Sequence, residues 1–329
     1  MNSNKMYSVE ELSGLIQKGK SYFVAGDEDL ITKLPKGKWI GGTIPYFMSD
    51  HGGVVTKEKI FATELPDYIK SVTIKYYDEQ TIKNVYSEAP ENGFSMIIIP
   101  ALTKIHLSFA MKAPEFNDFA VRPLLGWISA INLADLGKIT PKDINGLTGE
   151  LSADKAIVMQ VELTSDYVSE IGIVNIFSQG GGDTIEFLDT GFSAKDVLVN
   201  GVKTNFVDYF QSKKLDVKLP LVADYSGAMI NVSFQNISTE TKIVDFYAPV
   251  FSGVKYKQAA IIKDYVNSFN QNLPKDSKQI LFSCNCILNF LYSELEGKKT
   301  AEITGPVTFG EVAYQLLNQT MVYLNIQKI

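Results

Sequence analysis

Arginine is almost missing from this chain of 329 residues: of its 31 basic side chains one is an arginine, Arg122. Histidine is down to His51 and His106, and cysteine to Cys284 and Cys286. Each scarcity excludes something. Two thiols two positions apart cannot staple a secreted disulfide scaffold, and a bridge between them would be strained, so a cytoplasmic location is expected. A net charge of −6 with no lysine-rich run leaves nothing to track a phosphate backbone, and no nucleic-acid partner is expected. The longest nearly apolar stretch, Phe94 to Thr103, is about half of the roughly 20 residues that a membrane-spanning helix needs, and Pro100 interrupts it. No membrane partner follows from it, and the polar start, Met1 to Glu10, lacks the apolar core of a signal peptide.

What is present reads as a globular protein. Apolar residues make up 45 % of the chain and charged ones 21 %, enough of the first to fill a core and too few of the second for disorder. The length exceeds one ordinary domain of roughly 100–200 residues, which predicts two modules or one large unit.

Ser8 and Glu11 have capping-box spacing, and Val9, Leu12, Leu15 and Ile16 recur on one helical face until Gly19. Strands are predicted at Tyr22 to Gly26, Trp39 to Tyr46, Ala156 to Leu163, Glu170 to Phe177, Thr184 to Leu188, Ile280 to Ser283 and Met321 to Ile326. The apolar run Phe94 to Ile99 suits a strand buried on both faces. Ile230, Val232 and Phe234 alternate with polar residues, the period of a strand with one wet face. Helices are predicted over Lys203 to Lys213, Tyr256 to Asn272 and Val312 to Leu317. The mixture lacks the regular alternation of a parallel α/β fold, so the expected class is α+β, with mixed β-sheets flanked by helices.

Several patterns tempt and then fail. Gly14, Gly19, Lys20 and Ser21 fit the spacing of a nucleotide-binding loop, but a helix precedes them and a strand follows, the reverse of what a phosphate cradle requires. Gly180-Gly181-Gly182-Asp183 could form an anion nest, although its strand-like flanks favour a wide turn using positive φ angles. The two histidines and two cysteines have poor zinc-site spacing, and no metal is expected. Arg122, lone and in an apolar context, has two readings: a fork for a ligand carboxylate, or an internal bond to a carboxylate or carbonyl.

Leu281-Phe282-Ser283-Cys284-Asn285, then Gly305 to Glu311, then Asn318-Gln319-Thr320 resembles the C-terminal half of FIST sensory proteins in order and spacing. Trp39-Ile40-Gly41-Gly42-Thr43 and Pro123-Leu124-Leu125-Gly126-Trp127 are similar to strands of that family's N-terminal half. The resemblance implies a lead-in over 1–37, a FIST-N-like module over 38–210 and a FIST-C-like module over 211–329. It also implies a cytoplasmic sensor or carrier that binds an amino-acid-like molecule without catalysis. No output module is recognisable, so a signalling protein partner is implied. The implied ligand-binding residues are Trp39, Gly41, Gly42, Thr43, Arg122, Trp127, Cys284, Asn285 and Glu311, on four segments expected to converge. Where the family carries Gly-Arg after Ser-Cys-x, this chain has Cys286-Ile287, and Arg122 is the candidate replacement.

Other functions stay open at this point. Cys284 could act as the nucleophile of a hydrolase or transferase, with Glu311 or a histidine as base. A haem-based gas sensor, known among FIST proteins, would need an axial ligand over an apolar slot, for which His106 is the better histidine; the expectation is a colourless protein without cofactor. A scaffold role would require a large exposed apolar patch.

Overall fold

The computed structural model describes residues 4–225, 227–274 and 279–329, and its class is α+β, with mixed sheets and short flanking helices. Two compact units are present. The first holds the residues up to Val174 together with Leu273–Leu316 and Met321–Ile329; the second holds Asn175–Asn272 and Leu317–Thr320. The expected division at 210/211 falls inside the helix Phe206–Lys213, in the middle of the second unit. An insertion into the chain of the first unit, not a boundary between two consecutive halves, sets the organisation.

Three sheets build the first unit. One runs Asn4–Tyr7, Ile60–Glu64, Tyr22–Gly26, Trp39–Thr43, Asp143–Asn145, Glu150–Ser152, and in it Tyr22–Gly26 and Trp39–Thr43 are parallel. A second carries Glu311–Ala313, Leu124–Ser129, Gly93–Pro100, Ala156–Leu163 and Ile69–Tyr77 in that order, with Gly93–Pro100 parallel to Leu124–Ser129. The third runs Tyr167–Val174, Met321–Lys328, Ile280–Cys286, Gly305–Thr308, Tyr46–Ser49, Gly52–Val55. All eight residues of Gly93–Pro100 are buried, as a strand covered on both faces requires. The helix Val9–Ile16 starts on the predicted capping box, Ser8 and Glu11 each receiving the other's backbone N–H, and packs Leu12 and Ile16 against Tyr22, Val24 and Trp39. The strand Tyr22–Gly26 follows it, so the Gly-Lys-Ser pattern has the orientation that cannot cradle a phosphate; Lys20 pairs with Asp67 and Glu64.

The second unit has a sheet of Val202–Asn205, Asp196–Val199, Ile185–Phe187, Lys255–Gln258, Leu221–Tyr225, Ala228–Val232 and a smaller one of Gly191–Ala194, Ile243–Val250, Phe234–Ser238. Phe187, Phe206, Phe234, Phe246 and Tyr256 form its aromatic core, with Phe187 edge-on to three of the others.

Three local expectations need correction. The helix predicted over Tyr256 to Asn272 begins only at Tyr265, because Lys255–Gln258 is a strand that buries Tyr256, and Asp264 caps the helix by accepting from the Asn267 N–H at 3.0 Å. Val312 to Leu317 is not helical: it forms the strands Glu311–Ala313 and Gln315–Leu317, broken at Tyr314 with φ 61°. The glycines 180–182 do not use positive φ; at Gly180 a Cβ would meet the Gln258 carbonyl oxygen at 2.8 Å, so close packing explains that residue.

Candidate functional site

Parts of the four segments expected to converge meet in the first unit, without Arg122, and apart from Thr43 the residues that meet are packed as core. Glu311 lies opposite Trp127 and Val312 opposite Gly126 in antiparallel register. Trp127 stacks on Phe282 with centroids 5.4 Å apart. A Cβ on Gly42 would sit 3.2 Å from Trp127 Nε1 and 2.6 Å from Ile98, so the absence of a side chain is what lets the first sheet lie on the second. Trp39 turns to the opposite face of its strand, under the first helix, where its indole N–H donates to the Pro35 carbonyl at 2.9 Å. Gly41 packs on the Trp39 ring, and Trp39, Trp127, Cys284, Asn285 and Glu311 are all buried.

Buried does not mean idle, but it decides the cysteine reading. Cys284 is 1 % exposed, and its thiol donates to the Gly126 carbonyl at 3.4 Å. Burial first, and then the Glu311 carboxylate, push its pKa well above the ordinary thiol range. A nucleophile needs the reverse, a basic or cationic neighbour that stabilises thiolate. Asn285 accepts from the Cys286 N–H and from Asn289 Nδ2, both at 2.9 Å, which fixes its side chain in the core.

Arg122 stands apart from the cluster. It precedes the strand Leu124–Ser129 and donates to the Glu91 carbonyl at 3.0 Å, the internal-carbonyl reading and not the ligand fork. His106 lies on the helix Lys104–Lys112, 6 % exposed, and its Nδ1 accepts the Leu102 N–H at 3.3 Å. Burial lowers its pKa to about 4, so the ring is neutral at physiological pH. His51 sits exposed in the turn between Tyr46–Ser49 and Gly52–Val55. Among the described residues no group of three or more His, Cys, Asp or Glu side chains could hold a metal ion, and no helix is long and apolar enough to cross a membrane.

A cavity of about 360 Å³ opens where the two parallel strand pairs of the first and second sheets end. The Ala130 N–H donates to the Thr43 carbonyl at 2.7 Å, tying the carboxyl end of Trp39–Thr43 to that of Leu124–Ser129. Below this link, Asp143 accepts from Ser129 Oγ at 3.0 Å and from the Ile157 N–H at 3.2 Å. It thereby clamps its own sheet onto two strands of the other. Burial outweighs these two donors and keeps the Asp143 carboxyl well above the usual carboxylate range.

Thr43, Ile44, Pro45, Ala130 and Ile131 line the cavity from the strand ends; Asp27, Glu28, Asp29, Lys57 and Asp135 bring charge to it. Lys57 reaches in from the turn after Gly52–Val55, 3.0 Å from Asp135 Oδ2 and 3.8 Å from Asp27 Oδ2, and the Asp135 bond raises its pKa. Glu28 is paired with Lys142. One ammonium and several carboxylates around a cavity large enough for a small metabolite can receive both ends of a zwitterion. Loops beyond the carboxyl ends of parallel strands are where α/β sheets place ligands.

Of the residues implied by the family resemblance, Thr43 alone lines this cavity. Asp27, Lys57 and Asp135 escaped notice because nothing in their local spacing is distinctive. The available signal was Gly26-Asp27-Glu28: a buried strand ending in glycine and running into an N-cap aspartate, which marks a strand-to-helix turn.

No curated protein matches the chain. A family model does, over residues 7–327, which covers nearly the whole chain: it belongs to a family of unknown function, DUF6976.

Proposed function

We propose that this protein is a cytoplasmic receptor or carrier for a small, amino-acid-like molecule, of FIST type, that binds without transforming its ligand and passes the signal to a protein partner. The observation that carries the reading is the cavity at the joined strand ends, where the Lys57 ammonium and the carboxylates of Asp27 and Asp135 share one space with apolar walls. A zwitterion offers a carboxylate to Lys57 and an ammonium to the aspartates. The FIST-like order of the C-terminal motifs supports the same reading, and the buried thiol of Cys284 gives the catalytic alternative no help.

Calorimetric titration of the full chain with the twenty L-amino acids tests it. One or more of these should bind, and Asp135→Ala should weaken that binding about tenfold, the loss of a charge-assisted contact. No binding by any compound, or an affinity unchanged in Asp135→Ala, would sink the proposal.

A further inference from the structure

The second unit has a cavity of its own, about 370 Å³, bordered by the glycine loop 180–182 with Asp183, by Tyr209 and Leu215, and by residues 258–261. We infer that it is a separate ligand site, for a small molecule with an apolar body and an anionic head such as a carboxylate or sulfonate.

The walls supply the apolar part. Leu215, Ala259, Ala260 and the Tyr209 ring form them, and Ile261, at 81 % exposed, leaves a large aliphatic side chain open at the rim. The wall segment is held in place, with the Ala259 N–H donating to the Pro220 carbonyl at 2.8 Å and the Ala260 N–H to the Ser178 carbonyl at 2.9 Å. A mostly apolar concavity with a few polar groups is the ordinary anatomy of a small-molecule site.

The glycine loop supplies the head's partners. Gly180 is accounted for by its contact with the Gln258 carbonyl. Gly181 and Gly182 are not: neither has a φ in the left-handed region, and a Cβ on either would meet nothing within 4 Å. The fold would accept side chains there, and their absence keeps the mouth of the cavity open. Among the described residues neither backbone N–H has an acceptor, so two donors border the opening. Asp183 beside them does not repel an anion, because Lys213 at 3.0 Å neutralises it, while Tyr209 OH at 3.1 Å and Asn200 Nδ2 at 2.8 Å fix its carboxylate.

Fluorescence titration of the full chain with 8-anilinonaphthalene-1-sulfonate, beside the uncharged N-phenyl-1-naphthylamine, tests the inference. Saturable binding of the sulfonate at one site is expected. Gly182→Leu and Ala260→Trp should each weaken it about tenfold or more, with the melting temperature of Gly182→Leu unchanged. Should Ala260→Trp fail to fold, Gly182→Leu decides alone, since its new side chain strains nothing. Lys213→Met should weaken the sulfonate and spare the neutral probe; Asp135→Ala, in the other cavity, should change neither. The inference falls if the sulfonate does not saturate or if Gly182→Leu binds it as well as the parent. Equal losses of both probes in Lys213→Met would remove the anionic head from it.

Discussion

The thiol of Cys284 rests 3.4 Å from the Gly126 carbonyl of another sheet, in which Trp127 and Glu311 face each other in register, and Cys286, also 1 % exposed, lies two positions on. Protonated and enclosed, it acts as a small apolar side chain that happens to own a weak donor. Both cysteines should therefore stay unlabelled by 5,5′-dithiobis(2-nitrobenzoate) in the native protein and react together as urea unfolds it. Prompt modification of one thiol per native chain would reopen the nucleophile reading. Glu311, implied as a ligand contact by the family resemblance, is fully buried and does not line the cavity at the strand ends. The sequence predicts a helix from Val312, just after it, but Glu311 instead begins the strand Glu311–Ala313. Its neighbour in register, Trp127, is a partner no local pattern reveals.

At the scale of elements, what was legible is what short-range chemistry decides. The capping box of Val9–Ile16 is closed by two bonds, Ser8 N to Glu11 Oε2 at 2.7 Å and Glu11 N to Ser8 Oγ at 3.2 Å, both within four residues. Ser8→Ala should cost about 1 kcal/mol of unfolding free energy, read from a urea midpoint shifted at unchanged slope, because Leu12 and Ile16 tie that helix to the core. The buried strand Gly93–Pro100 was legible for the same reason: an uninterrupted apolar run between glycine and proline has few other uses. Elements that failed were decided from outside. Tyr256 fits a helical stripe as well as it fits a strand, and the aromatic core of Phe187, Phe206 and Phe246 selects the strand. At Tyr314 the backbone turns left-handed while Tyr86 OH donates to its carbonyl, from 228 positions earlier in the chain. No window of sequence contains that bond.

The whole molecule was the least legible scale. An insertion leaves no periodic trace, and Tyr167–Val174 and Ile280–Cys286, both paired with Met321–Lys328, are separated in the chain by Asn175–Asn272, the larger part of the second unit. Two buried titratable groups of the first unit make its response to pH a test of the core described above. His106 has its pKa lowered to about 4 from an ordinary value of about 6.5, so below pH 6.5 the unfolded chain takes up a proton that the folded one refuses. Stability from this group is complete above pH 6.5 and drains away by roughly 3 kcal/mol as pH falls to about 4. Asp143 works in the opposite sense. Its raised pKa means that above about pH 4 the unfolded chain releases a proton that the folded one keeps, so stability falls as pH rises toward the folded value. In the window that opens at about pH 4 and ends where the folded Asp143 carboxyl or the unfolded histidine has titrated, the two slopes oppose each other in the parent. Asp143→Asn preserves the clamp, since an amide can accept from the Ile157 N–H and donate to Ser129 Oγ, and it removes the second slope. Its stability should climb more steeply with pH across this window than the parent's, whereas His106→Gln should lose the climb and decline. Both tryptophans, Trp39 and Trp127, lie in the same unit as these two groups, so urea unfolding followed by tryptophan fluorescence at half-unit pH steps reads the first unit. Parallel curves for parent and Asp143→Asn would mean that the Asp143 carboxyl is ionised in the fold, and the clamp would have to be redrawn around a charge.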